Sequence, residues 1–215
     1  MAPRLSGRGL LLGALLGSFA WVEAVAPEPA AALVFRVDAS TSRVTIRVGK
    51  AGLFKFAGHE HEVSALGFSG EVVADPAEPT RSSVHLSFEA AAVKVTGSAE
   101  PPGDVPKVQE TMSGPRVLDV ARFPEVRFES RTVGGRQNAD GSWEIEITGD
   151  FRLRGETRPL TLPMRVELSG DTLAASGQAT IRHSDFGLEP VSVAGVVKVK
   201  NELLIEYRIV ARRAP

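Results

Sequence analysis

Cysteine is absent from the 215-residue chain. Its absence excludes disulfides, thiolate metal sites, a cysteine nucleophile and a lipid-modified cysteine at a cleaved N-terminus. No sign of charge is in excess, since 25 Lys+Arg face 26 Asp+Glu for a formal net charge of −1. That balance leaves no basic footprint for nucleic acid and no acidic surplus of the kind that keeps a chain disordered. Aromatic content is thin outside phenylalanine: one tyrosine and two tryptophans against ten phenylalanines. A Gly-x-Ser-x-Gly elbow and a His-Glu-x-x-His helix motif are missing. These gaps remove the usual nucleophilic and zinc-hydrolase patterns. Repeats of fixed period and low-complexity tracts are also missing, so 43% hydrophobic residues and 21 glycines must be organised as one ordinary globular domain rich in turns.

Residues 1–26 have the pattern of a secretory signal. Arg4 and Arg8 supply a positive start, Leu10 to Val22 is apolar apart from Ser18, and Ala24 and Ala26 offer two small-residue cleavage positions. Pro27 disfavours cutting after Ala26, which makes Ala24 a competitor. The apolar run falls short of the ~20 residues a membrane-spanning helix needs. An uncleaved anchor is the alternative reading. Removing these residues leaves a slightly acidic mature chain, expected to be periplasmic or secreted with no stable membrane span. Residues 27–32 then read as a tether, and 33–213 as one domain.

The body of the chain alternates. Val44, Ile46 and Val48 interleave with Arg43, Thr45 and Arg47, and Val84, Leu86 and Phe88 with Ser83, His85 and Ser87. The same rhythm holds for Val126 and Phe128, for Trp143, Ile145 and Ile147, for Leu160 through Leu168, and for Leu203 through Ile209. Period two with one apolar face marks antiparallel strands over an interior. Asn138 to Gly141, Arg154 to Thr157 and Ser169 to Asp171 punctuate the runs as turns. About eight strands follow, a number that suits an up-and-down barrel or a sandwich. Residues 104–118 break the alternation. Val105, Val108, Met112 and Leu118 fall near helical spacing there, which predicts one short helix ended or interrupted at Gly114-Pro115. If the apolar faces converge, the interior is either a lumen for one slender apolar ligand or a filled core, and periodicity does not separate the two.

The order of motifs resembles the YceI family, bacterial lipocalin-like proteins that bind polyisoprenoids. Five pieces carry the likeness: Phe35-Arg36-Val37-Asp38 through Val48 with an Asp-x-x-x-Ser turn; Gly67-Phe68-Ser69-Gly70; Met112 to Phe128 with its Phe123-Pro124 turn; Gly149 to Leu160 with Gly155, Thr157 and Pro159; and Ser184-Asp185-Phe186-Gly187. The likeness covers roughly residues 34–211. It implies an all-β fold, a single eight-stranded antiparallel lipocalin-like barrel with one short helix. It also implies a non-catalytic binder or carrier of a long-chain isoprenoid or other amphipathic lipid. Two departures stand out: His183 occupies the position before the Ser-Asp-Phe-Gly turn where the family commonly has a basic or amide residue, and Gly58-His59-Glu60-His61 resembles a Gly-His-x-His variant.

His59 and His61, two apart on an extended segment, share a face. With His183 they form a possible set of metal ligands. A hydrolytic metal site would need three ligands and an open position. The competing readings are hydrogen bonds to loop backbone and contact with a ligand headgroup. The candidate ligand-binding residues are therefore His59, His61, His183, Phe88, Phe128, Phe186, Ile147 and Met164. Phe186 also reads as a buried plug beside a turn that Gly187 allows. No catalytic residue and no cofactor is expected. His183, Ser184 and Asp185 hold the residue types of a hydrolytic triad, but neighbours on one strand point to opposite faces and cannot meet. Arg36, Arg152 and Arg182 would pair with a diphosphate if they pointed inward, although an outward, solvated face is the simpler expectation. A metal-binding protein or metal-dependent enzyme built on the histidines is the first alternative, a filled barrel serving as a partner-docking module the second. The sequence leaves a homodimer open.

Overall fold

A computed structural model describes residues 32–51, 61–98, 102–189 and 198–215. The expected signal segment 1–26, most of the expected tether and His59 lie outside the described residues. The strands are β1 (Leu33–Val37), β2 (Arg43–Ala51), β3 (His61–Ala65), β4 (Ser69–Ala74), β5 (Ser83–Glu89), β6 (Val93–Val95), β7 (Glu125–Gln137), β8 (Trp143–Leu153), β9 (Glu156–Ser169), β10 (Thr172–Arg182) and β11 (Lys198–Arg213), with one helix, α1 (Val105–Ser113), between β6 and β7. Every pairing is antiparallel.

Eleven strands make eight ribbons. β1 and β2 both run antiparallel to β11, Val37 opposite Ala211 and Arg43 opposite Arg208, so they are one ribbon kinked at 38–42. β3 continues into β4 and β5 into β6 in the same way, because β3 pairs with β6 and β4 with β5. β1 pairs with β4 on one side and β11 on the other, which closes the sheet into a barrel. Closure satisfies the backbone groups that an open edge would leave unpaired. The expected all-β antiparallel barrel with one helix is the fold observed.

Alternation decides what faces in. Along β9, Leu160, Leu162, Met164 and Val166 point into the barrel while the residues between them are exposed. β8 hydrogen-bonds along nearly its whole length with β9, Ile147 opposite Leu162 and Ile145 opposite Met164, so the inward rows line up from ribbon to ribbon. The hairpin between β8 and β9 turns on Arg154 (φ 50°) and Gly155 (φ 80°), both left-handed. Two successive positive φ values are what a two-residue primed turn requires. A side chain at 155 would also strike the Phe123 ring, which explains the glycine.

The kink at 38–42 is bolted by side chains. Ser40 donates its N–H and hydroxyl to Asp38 Oδ1, and Ser42 Oγ donates to the Asp38 carbonyl while accepting the Val210 N–H at 3.0 Å. The Ser40 hydroxyl and then the Arg212 guanidinium hold the Asp38 carboxyl down at about 2. Asp140, in the β7–β8 turn, is held at about 2 by Ser142 and then Arg165. A depressed carboxyl stabilises the fold fully above its unfolded value and loses that contribution as pH falls through the folded one. The linked stability is thus complete above about pH 4 and lost toward about pH 2. The double variant Asp38→Asn, Asp140→Asn is expected to melt less pH-dependently across that window, read by circular dichroism melts at successive pH values.

Candidate functional site

The two ends of the barrel differ. One carries the β4–β5 connection and the β7–β8 and β9–β10 hairpins. The other carries α1, the β8–β9 hairpin and the 3-10 turn His183–Phe186. Four of the five motif pieces send residues to this second end.

α1 is docked there by a side chain acting as a strand. Among the described residues β6 pairs with β3 alone. Along its other side Gln109 Oε1 accepts the Val95 N–H at 2.9 Å, and Gln109 Nε2 donates to the Val93 carbonyl at 3.1 Å. Its apolar face, Val108 and Met112 with Thr111, looks into the barrel. Gln109→Leu should leave the Val95 N–H without its partner, at a cost of about 1–3 kcal/mol. Local opening of α1 should then become roughly 5- to 150-fold more frequent, measured as faster amide hydrogen exchange confined to Val105–Ser113.

A second clamp ties the turn to the segment after α1. From the hairpin tip, the Arg154 guanidinium donates through Nη1 to the Gly187 carbonyl and through Nη2 to the Pro115 carbonyl at 2.7 Å. Gly187 takes φ 61° as the left-handed cap of the 3-10 turn. Phe186, 2% exposed, packs edge-on against Phe151 with ring centroids 5.5 Å apart.

Between the two ends lies a cavity of about 720 Å³. Val44, Ile46, Val48, Val63, Phe88, Phe128, Ile147, Leu160, Leu162, Met164, Ile181, Leu203 and Ile205 are among the side chains that line it. Many of them are only half-buried although they point inward, because empty space rather than a neighbour lies in front of them. In a packed interior the same positions would be close to fully buried. Asp104, Lys107 and Glu189 are exposed and stand on the cavity's border near α1. The tyrosine hydroxyl of Tyr207 donates to the Pro163 carbonyl at 2.6 Å, and burial pushes its ionisation up to about 12.

The structure brings five of the candidate residues to the cavity wall: Phe88, Phe128, Ile147, Met164 and His183. Phe186 does not reach the wall; it stands behind Phe151, in the plug position. His61 begins β3, its backbone opposite Val48, and so belongs to the α1 end. His59 lies outside the described residues. Among the described residues no group of three His, Asp or Glu side chains is placed to hold a metal ion. His85 points outward, 3.5 Å from Glu129. Arg36, Arg152 and Arg182 are exposed, so none offers an inward guanidinium. Ser184 and Asp185 sit on a 3-10 turn rather than a strand, and Ser184 Oγ accepts from Asn201 Nδ2 at 3.0 Å. Sequence reasoning missed Gln109 and Arg154. For Arg154 a signal existed, an arginine directly before glycine in a two-residue hairpin; for Gln109, one polar residue on a helix of mixed character, none did.

Comparison with known proteins places this geometry. The model of the YceI-like domain matches residues 35–211. A UPF0312 protein of Shewanella sp. (strain MR-7) is 26% identical over 204 residues, covering 91% of this chain and 96% of its own. Among solved structures, Burkholderia cenocepacia BcnA superposes with a TM-score of 0.62 at 21% identity, covering 81% of this chain and 98% of its own. A polyisoprenoid binding domain from Saccharophagus degradans superposes with a TM-score of 0.63 at 12% identity, covering 85% and 99%. With the family match spanning nearly the whole described barrel, the chain belongs to the YceI-like family.

Proposed function

We propose that the protein is an exported, non-catalytic binding protein that carries a long-chain isoprenoid or similar amphipathic lipid in its barrel lumen. The observation that carries this reading is the cavity of about 720 Å³ walled by inward-facing apolar side chains. At ~30 Å³ per water-sized group, it takes on the order of 24 such groups. A ligand of that size at ~0.3 kcal/mol per non-hydrogen atom gains about 7 kcal/mol, a low-micromolar Kd. Burial of methylenes at ~0.8 kcal/mol each gives affinity with little discrimination between neighbouring chain lengths. The polyisoprenoid binding named for the Saccharophagus degradans domain supports the ligand class. Arg4, Arg8 and the apolar run to Val22 support export to the periplasm or beyond. In this reading the headgroup lies at the α1 end, where His61 begins β3.

Trp143 lines the cavity and is the one tryptophan beyond the signal segment. Titration of the mature, delipidated protein with a prenol of about twenty carbons should shift Trp143 emission to the blue with a low-micromolar midpoint. Organic extraction of protein purified from its host should release a stoichiometric lipid, identified by mass spectrometry. An extract free of lipid together with an unchanged Trp143 spectrum would refute the proposal.

A further inference from the structure

Four polar side chains are buried among the described residues: Ser42, Asp75, Ser142 and His183. Three are satisfied by the protein. Ser42 bonds the Asp38 and Val210 backbone, Asp75 accepts the Ala77 and Glu78 N–H groups at 3.0 Å each, and Ser142 Oγ donates to Asp140 at 2.6 Å. His183 is the exception. It is 7% exposed, it lines the cavity, and neither Nδ1 nor Nε2 has a hydrogen-bond partner among the described residues. A buried polar group left without a partner costs roughly 1–3 kcal/mol, so a fold that keeps one has a use for it.

We propose that His183 is the specificity-determining residue of the lumen, and that it selects a ligand whose polar group is an uncharged hydroxyl or carbonyl. This rests on the lipid-binding reading above and deepens it. The placement supports the role: His183 follows Ile181 on β10, and Ile181, Leu118 and Leu188 on the same stretch of wall offer no hydrogen bond. The turn that carries it is fixed by the Arg154 clamp and by Asn201 on Ser184, so the imidazole is held by backbone rather than by its own bonds. A neutral imidazole presents one donor and one acceptor, the complement of a hydroxyl and, through the donor alone, of a carbonyl. A phosphate or diphosphate fits worse. The cations on the lining, Lys107 and Arg127, are exposed, and Nη1 and Nη2 of Arg154 are already committed to two carbonyls. An ionised head drawn in to His183 would be a desolvated charge with no buried, uncommitted cation on the lining to pair with it, which is costly. It would remain at the rim beside Lys107.

The test compares wild type, His183→Leu and His183→Gln against three ligands of equal chain length: a prenol, its phosphate ester and the matched hydrocarbon. Trp143 emission reads binding and calorimetry reads the melting of the lipid-free protein. His183→Leu should weaken the prenol about tenfold, leave the hydrocarbon unchanged and raise the melting temperature, since it removes a buried polar group without a partner. His183→Gln should restore most of the prenol affinity. A fall in melting temperature or failure to fold in the leucine variant, or equal weakening of prenol and hydrocarbon, would show a structural histidine and overturn the proposal. Wild type preferring the phosphate ester, with that preference lost in His183→Leu, would overturn the uncharged head alone. Absence of binding by wild type to every ligand would overturn the lipid reading itself.

Discussion

Leu162→Trp should leave the empty barrel folded and weaken binding of a long apolar chain roughly 50-fold. Leu162 sits on β9 opposite Ile147, points inward and lines the cavity, yet is only half-buried. In a packed interior an indole in place of an isobutyl group forces off-rotamer side chains at ~1–3 kcal/mol. Here it enters space already empty, so the melting temperature of lipid-free protein should move by no more than about 2–4 °C, the shift ~1 kcal/mol produces in a domain of this size. Binding pays instead. Displacing about three methylenes of the ligand forfeits ~2.4 kcal/mol of apolar burial. The two readouts must separate: titration with a prenol reports the loss, calorimetry the unchanged fold. A large drop in melting temperature would mean the lumen is filled.

Phe35→Ala should do the opposite, costing about 3–5 kcal/mol of stability, as truncation of a fully buried phenylalanine does. Phe35 is 0% exposed on β1, the ribbon that closes the barrel, opposite Val72 of β4 and Arg213 of β11. It packs with Leu173, Ala175 and Ala211, all three buried at the same seam. Removing the ring leaves a void at the one place where both neighbours of β1 must be held together. The melting temperature should fall on the order of 10 °C. Two inward apolar residues of one barrel thus respond in contrary ways, because one touches atoms and the other touches space.

Much of this was legible in the residues. Strict alternation placed β2, β5, β7, β8, β9 and β11, and Asn138 to Gly141, Arg154-Gly155 and Gly170-Asp171 placed the hairpins, since turn chemistry is local. The break in alternation located α1, which ends at Ser113, one residue before Gly114. Splitting of three ribbons was not legible, because the kinks at 38–42, 66–68 and 90–92 depend on which neighbour each half pairs with. The hollow interior was not legible either. Leu162 and Phe35 look alike in an alternating pattern, and only the diameter of the closed barrel separates a wall from a plug. Phe186 illustrates the same limit: one side chain could be lumen or core, and its edge-on contact with Phe151 decided for core. His183 was legible as a residue type but not as one without a partner among the described residues, which is a property of what the fold places beside it.

The central claim is that an apolar chain lies inside the barrel. A crystal structure of the barrel, residues 27–215, with a long-chain alcohol carrying bromine on its tail measures this directly. The account predicts an anomalous bromine peak within the lumen, among side chains such as Leu162, Met164 and Ile205. A lumen filled by its own side chains, with bromine found only on the outer surface, would contradict it.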